Sequence, residues 1–169
     1  LNILPNDIDC LLQAGNTCIK LEKVDKALQF FQKAVTLCPS DDGAIAGLAC
    51  SLSMRGLRAI KEKKIKAAII DLQKAQTLCP DAWEIAYNLG NAHLKSDNYS
   101  MAQLQYEKAK ELNGNTVDLH CNLGIALERL GLFSQSIQSY ENAVSLDPGS
   151  HAASYNKSLL LLKLGKYRQ

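Results

Sequence analysis

Three columns of residues recur along this 169-residue chain with one shared set of gaps. The first is Ala27, Ala68, Ala102 and Ser136. The second is Ala34, Ala75, Ala109 and Ala143, and the third Pro39, Pro80, Gly114 and Pro148. In each, successive members stand 41, 34 and 34 residues apart. Small residues at fixed offsets with a proline at the end of each unit mark a helix-turn-helix repeat, whose units bury their apolar faces only by stacking. Such a chain folds as an all-α solenoid of antiparallel helix pairs, and its function is sought on a surface rather than in a catalytic pocket.

Three further columns share the register. Phe31, Leu72, Tyr106 and Tyr140 form one; Val24, Ile65, Tyr99, Phe133 and Tyr167 another. Gly15, Gly90, Gly124 and Ser158 form a small-residue column. A small residue on the first helix of each repeat (A) permits close approach of the second (B), alanines on B permit the same from the other side, and the aromatics fill the space between. The expected A helices are 8–21, 42–60, 83–96, 117–130 and 151–164. The expected B helices are 24–37, 64–78, 99–112 and 133–146. Prolines after helix B, or Asn113-Gly114 in their place, close each repeat. Asp41-Asp42-Gly43 reads as a helix start with acidic caps.

Trp83, Tyr87, Leu89, Gly90, Tyr99, Ala102, Tyr106 and Ala109 show one repeat most fully. This pattern resembles the tetratricopeptide repeat (TPR) family. The resemblance implies a right-handed α-solenoid that binds proteins or peptides. It covers the chain as a single domain, 1–169, with repeats 8–41, 42–82, 83–116, 117–150 and a partial fifth, 151–169.

The 42–82 repeat is seven residues too long. Seven is close to two helical turns, so the surplus lengthens helices without rotating their faces and puts Ala49 and Gly56 on one face. The segment from Arg55 to Lys64 is expected to be the added part, a protruding hairpin tip carrying Arg55, Arg58, Lys61, Lys63 and Lys64. It reads either as a solvated tip or as a contact site for an acidic partner.

Bulk properties exclude several classes. A net charge of +2 with both signs interspersed gives no reason to expect a nucleic-acid partner. No apolar run is long enough for membrane insertion. None of the six cysteines forms a C-x-x-C pair or a zinc spacing, so buried reduced thiols in a cytoplasmic setting are expected. His93, His120 and His151 have no ligand or catalytic partner at suitable spacing, and no nucleophile elbow, metalloprotease or phosphate-loop motif occurs. No catalytic residue, metal or cofactor is expected, and the chain reads as a non-enzyme.

Asn88, Asn122 and Asn156 fall at one point of three successive A helices. Two turns later come Lys95, Arg129 and Lys163, with Lys20 at the matching place in the first repeat. Primary amides offer donors and an acceptor to a peptide backbone. This C-terminal half resembles the TPR superhelix of O-linked N-acetylglucosamine transferase, whose inner asparagine row grips peptides. The resemblance implies a peptide groove formed by Asn88, Asn122, Asn156, Asn91, Tyr87, Tyr155, Lys95, Arg129 and Lys163. A clamp for a terminal carboxylate is disfavoured, because Leu12, Glu84 and Ala152 stand where its cations would be. Two other readings remain open, a scaffold subunit and a regulatory arm of a larger enzyme. The apolar run Leu159–Leu162 is expected to be covered by further chain or by self-association.

Overall fold

The computed structural model describes residues 7–166, and of Lys166 the backbone alone. Tyr167 and the tail 167–169 of the fifth repeat therefore lie outside the described residues. Within them are nine α-helices and no strand: α1 (Ile8–Lys20), α2 (Val24–Leu37), α3 (Asp42–Lys61), α4 (Ile65–Leu78), α5 (Trp83–Lys95), α6 (Tyr99–Glu111), α7 (Val117–Arg129), α8 (Phe133–Leu146) and α9 (His151–Lys166). Their limits fall within two residues of those expected from the columns. The fold is an all-α helical-repeat solenoid. Its helices divide into two compact units, one reaching Ile85 and the other starting at Ala86.

Local chemistry sets the helix ends. Asp41 Oδ1 accepts from Ala44 N at 2.7 Å and Thr116 Oγ1 from Leu119 N at 3.2 Å, so each caps an otherwise unpaired amide. The A helices stop in one recurring way. Glu22, Lys63, Asp97 and Gly131 all take left-handed φ, between 55° and 76°. Around each, the chain closes with paired backbone bonds such as Lys23 N to Cys18 O at 2.8 Å and Glu22 N to Ile19 O at 2.9 Å. These bonds satisfy the terminal carbonyls and turn the chain into helix B.

Packing inside each hairpin rests on a glycine against a large side chain. A Cβ placed on Gly15 would lie 2.6 Å from the Phe31 ring, one on Gly90 2.6 Å from Tyr106, and one on Gly124 2.5 Å from Tyr140. Phe31 is flanked on its other side by Gly47 of α3 and anchors a cluster with Leu28, Leu48 and Leu52. Tyr106 and Tyr140 are likewise fully buried.

The surplus residues lie elsewhere than expected. Helix α3 has 20 residues against 13 in α1, α5 and α7, while α4 has 14, as α2 does. One helix therefore absorbs the whole insertion. Gly56 faces Leu72 as Gly15 faces Phe31, and α3 ends five residues after Gly56, as α1 ends five after Gly15. The extra turns thus precede Gly56. Arg55–Lys64 is an ordinary helix end and turn, and the expected protruding tip is corrected accordingly. Ala49 and Gly56 are both buried, as expected for one face.

The cysteines are free thiols. Only Cys18 and Cys121 are buried, and Cys50 is exposed, so the expectation of buried thiols holds in part. His93 takes the slot filled by Cys18 and Leu127 in other repeats. It is only 6% exposed, and neither ring nitrogen has a hydrogen-bond partner. Burial holds its pKa below the ordinary 6.5. His120, whose Nδ1 is also unpartnered, is lowered by burial and by Lys110.

Below pH 6.5 the unfolded chain takes up protons at these histidines while the fold resists them, so stability falls on acidification and is flat above. Replacing His93 with Leu is expected to stabilise the fold by about 1–2 kcal/mol at pH 7. Urea unfolding from pH 7.5 to 5 should also show a shallower acid loss in H93L, with the His120 contribution remaining.

Candidate functional site

The candidate residues of the C-terminal unit sort into two groups. The first is a hydrogen-bonded network on α5, α6 and α7. Asn122 Nδ2 donates to Tyr87 Oη at 3.1 Å and to Asn91 Oδ1 at 3.0 Å. Tyr106 Oη donates to the same Asn91 oxygen at 2.7 Å. The Tyr87 and Tyr106 rings stand 5.9 Å apart, tilted by 47°. Burial raises both phenol pKa values, so both hydroxyls stay protonated at ordinary pH.

This network narrows what Asn122 can offer a ligand. Both its amide hydrogens are spent inside the protein, leaving the carbonyl oxygen. Asn91, by contrast, spends its oxygen twice, and its amide also hydrogen-bonds the Tyr87 hydroxyl. Together the two amides leave one N–H of Asn91 and the carbonyl oxygen of Asn122. Asn88 is half-buried on the same helix as Tyr87.

The second group surrounds a cavity of about 540 Å³ bounded by α7, α8 and α9. Arg129, Asn156 and Lys163 line it, with Ile125, Glu128, Phe133, Tyr140, Leu160 and Leu164. Lys163 Nζ reaches Glu128 Oε1 at 2.7 Å, and Tyr140 Oη donates to Glu128 Oε2 at 3.4 Å. Burial, reinforced by Glu128, pushes the Tyr140 pKa up to about 12. Arg129 rests over the Tyr99 ring, 5.9 Å from its centroid. The Asn156 side chain makes no hydrogen bond among the described residues. Lys95 is exposed, and Tyr155, at 66% exposure, joins neither group.

Tyr106, Ile125, Glu128, Phe133 and Leu160 escaped sequence reasoning as site residues. A signal was present, since Ile125 stands 34 residues after Asn91 and Leu159 another 34 on. The polar slot of α5 thus turns apolar in the next two A helices.

The basic segment of the N-terminal unit is largely neutralised within the chain. Arg55 grips the buried Asp71 through two contacts of 2.7 Å. Arg58 binds both oxygens of Asp25 at 3.0 Å, and Lys64 reaches Glu62 at 2.7 Å. Lys61 and Lys63 are exposed, and Lys63 is the left-handed turn residue. Arg55 and Lys64 are therefore tied within the α3–α4 hairpin, and Arg58 to α2 of the preceding repeat. Among the described residues no cluster of side chains suits a metal ion, and no helix is long and apolar enough to cross a membrane.

Models of the tetratricopeptide repeat match residues 8–41, 84–116 and 121–168, more than half of the chain. The chain belongs to the tetratricopeptide-repeat family. Solved structures agree on the fold of this TPR chain. YrrB, a TPR protein with an unusual peptide-binding site, superposes with a TM-score of 0.74 at 21% identity, over 95% of this chain and 79% of its own. The first TPR of Spaghetti (RPAP3), bound to the HSP90 peptide SRMEEVD, gives 0.67 at 20% identity, over 69% of this chain and 93% of its own. MamA gives 0.63 at 22%, over 84% and 79%. No curated protein matches the chain by sequence.

Removing Arg55 leaves the Asp71 carboxylate buried without its cation. Allowing for the partial exposure of Arg55, Arg55→Leu is expected to cost about 2 kcal/mol in urea unfolding. The exposed Lys61→Ala should stay within about 0.5 kcal/mol.

Proposed function

We propose that this TPR chain is a non-catalytic protein-interaction module that holds an extended segment of a partner protein along α5, α7 and α9. The observation that carries the reading is the gathering of Arg129, Asn156 and Lys163 on one open cavity, beside the Asn91–Asn122 amide couple of the same compact unit. An extended backbone needs alternating donors and acceptors with little regard to side chains. Asn91 offers one remaining N–H, Asn122 an acceptor, and Asn156 an uncommitted amide of both kinds.

The likeness of the Asn88, Asn122 and Asn156 row to that of O-linked N-acetylglucosamine transferase supports the same reading. So do the peptide-binding neighbours, YrrB and the RPAP3 repeat. A scaffold role would draw instead on α9, where Leu159, Leu161 and Leu162 are exposed.

The test is an array of N-acetylated, C-amidated decapeptides, probed with wild type and with the Asn122→Ala, Asn156→Ala double variant. Far-UV circular dichroism serves as a check on folding. Peptides that bind wild type are expected to bind the folded double variant at least about tenfold more weakly, the loss of two backbone hydrogen bonds. No binding by wild type, or equal binding by both proteins, would sink the reading.

A further inference from the structure

In the cavity bounded by α7, α8 and α9, the two charged groups nearest the interior, Glu128 and Lys163, are already committed to each other. Both oxygens of Glu128 are engaged, one by Lys163 at 2.7 Å and the other by Tyr140 at 3.4 Å. Arg129 sits at the rim against the Tyr99 ring, in water. Apart from the Asn156 amide, what is left over inside is apolar. Leu160 is 1% exposed and forms the floor, Ile125 and Leu164 are half-buried on the walls, and Phe133 stands at the mouth with 41% of its surface in solvent. A large exposed aromatic beside an open cavity presents apolar surface that a ligand can cover.

We infer that this cavity is a socket for one uncharged, apolar side chain of the bound segment, and that it sets the sequence preference of the module. The inference rests on the peptide-binding reading above and adds to it. The asparagines read the backbone and cannot distinguish residues. The socket distinguishes them. Asn156, free of internal hydrogen bonds and on the cavity wall, holds the peptide group of the residue whose side chain enters. A charged side chain would lose water without finding an unpaired partner inside, since Glu128 and Lys163 already neutralise each other. At about 540 Å³ the cavity lies in the range of pockets that take compact ligands, so aromatic as well as aliphatic side chains fit.

The probe is a positional-scanning library of acetylated, amidated hexapeptides, which carry no terminal charges. It is read by fluorescence anisotropy against wild type, Phe133→Glu and Ile125→Trp. Phe133 stands 41% exposed at the start of α8, the tryptophan fills the cavity from the wall, and far-UV circular dichroism checks that both variants fold. One library position should favour Leu, Ile, Met and Phe over Asp, Glu and Lys by about 10- to 100-fold, the worth of burying one such side chain. Both variants should abolish that preference while leaving weak, residue-independent binding. An apolar preference that survives both variants, an acidic preference, or the absence of any preferred position would overturn the socket and leave the peptide-binding reading standing. Failure of the whole library to bind wild type would overturn that reading itself, and the socket with it.

Discussion

One contact recurs through this fold and the rest depends on it: a glycine on helix A meeting a large side chain on helix B, sixteen residues further on. Gly15 meets Phe31, Gly56 meets Leu72, Gly90 meets Tyr106 and Gly124 meets Tyr140. At three of these sites the ring sits where a methyl group would have to be, so the helices approach more closely than any side chain on A would permit. Close approach excludes water from the ring and buries the flanking alanines, Ala27, Ala68, Ala102, Ala109 and Ala143, completely. Without it each pair of helices has too little apolar surface to hold together.

The same contact also builds the candidate site. Tyr106 lays its ring on Gly90 and sends its hydroxyl to Asn91, which in turn holds Asn122. Tyr140 lays its ring on Gly124 and sends its hydroxyl to Glu128, which holds Lys163. Each tyrosine is a rigid strut from the core to the face of helix A, and it orients a polar group there. Phe31 and Leu72 pack on their glycines without a hydroxyl and orient nothing. The distinction explains why the tyrosine-held polar groups, Asn91 with Asn122 and Glu128 with Lys163, belong to the C-terminal unit, while in the N-terminal unit the polar side chains of the α3–α4 hairpin pair off as Arg55 with Asp71.

The fold was legible because glycine, alanine and proline columns report backbone approach and chain reversal, which are local and periodic demands. Gly56 stands 41 residues after Gly15 and 34 before Gly90, so even the place of the insertion was written in the columns. It was obscured by the density of cations from Arg55 to Lys64, which drew attention to the helix end. Pairings across helices were not legible. Asp71 lies in the slot of Phe30, Gln105 and Ser139, with nothing to announce that it faces Arg55. The asparagine row was visible as a spacing, but that Asn122 spends both its hydrogens inside the protein depends on where Tyr87 and Asn91 project. The cavity depends on the substitution of Asn91 by Ile125 one repeat on, a change that matters only once α8 and α9 are in place.

The most direct measurement of the central contact is a double-mutant cycle on Gly124 and Tyr140 by urea unfolding, with Gly124→Ala, Tyr140→Val and the pair. Gly124→Ala alone should cost about 1–3 kcal/mol through overpacking against the ring. With the ring removed, the added methyl group has room. The pair should then be less destabilised than the sum of the singles by at least about 1 kcal/mol. Additivity within about 0.3–0.5 kcal/mol would show that glycine and ring do not depend on each other, and would contradict the account.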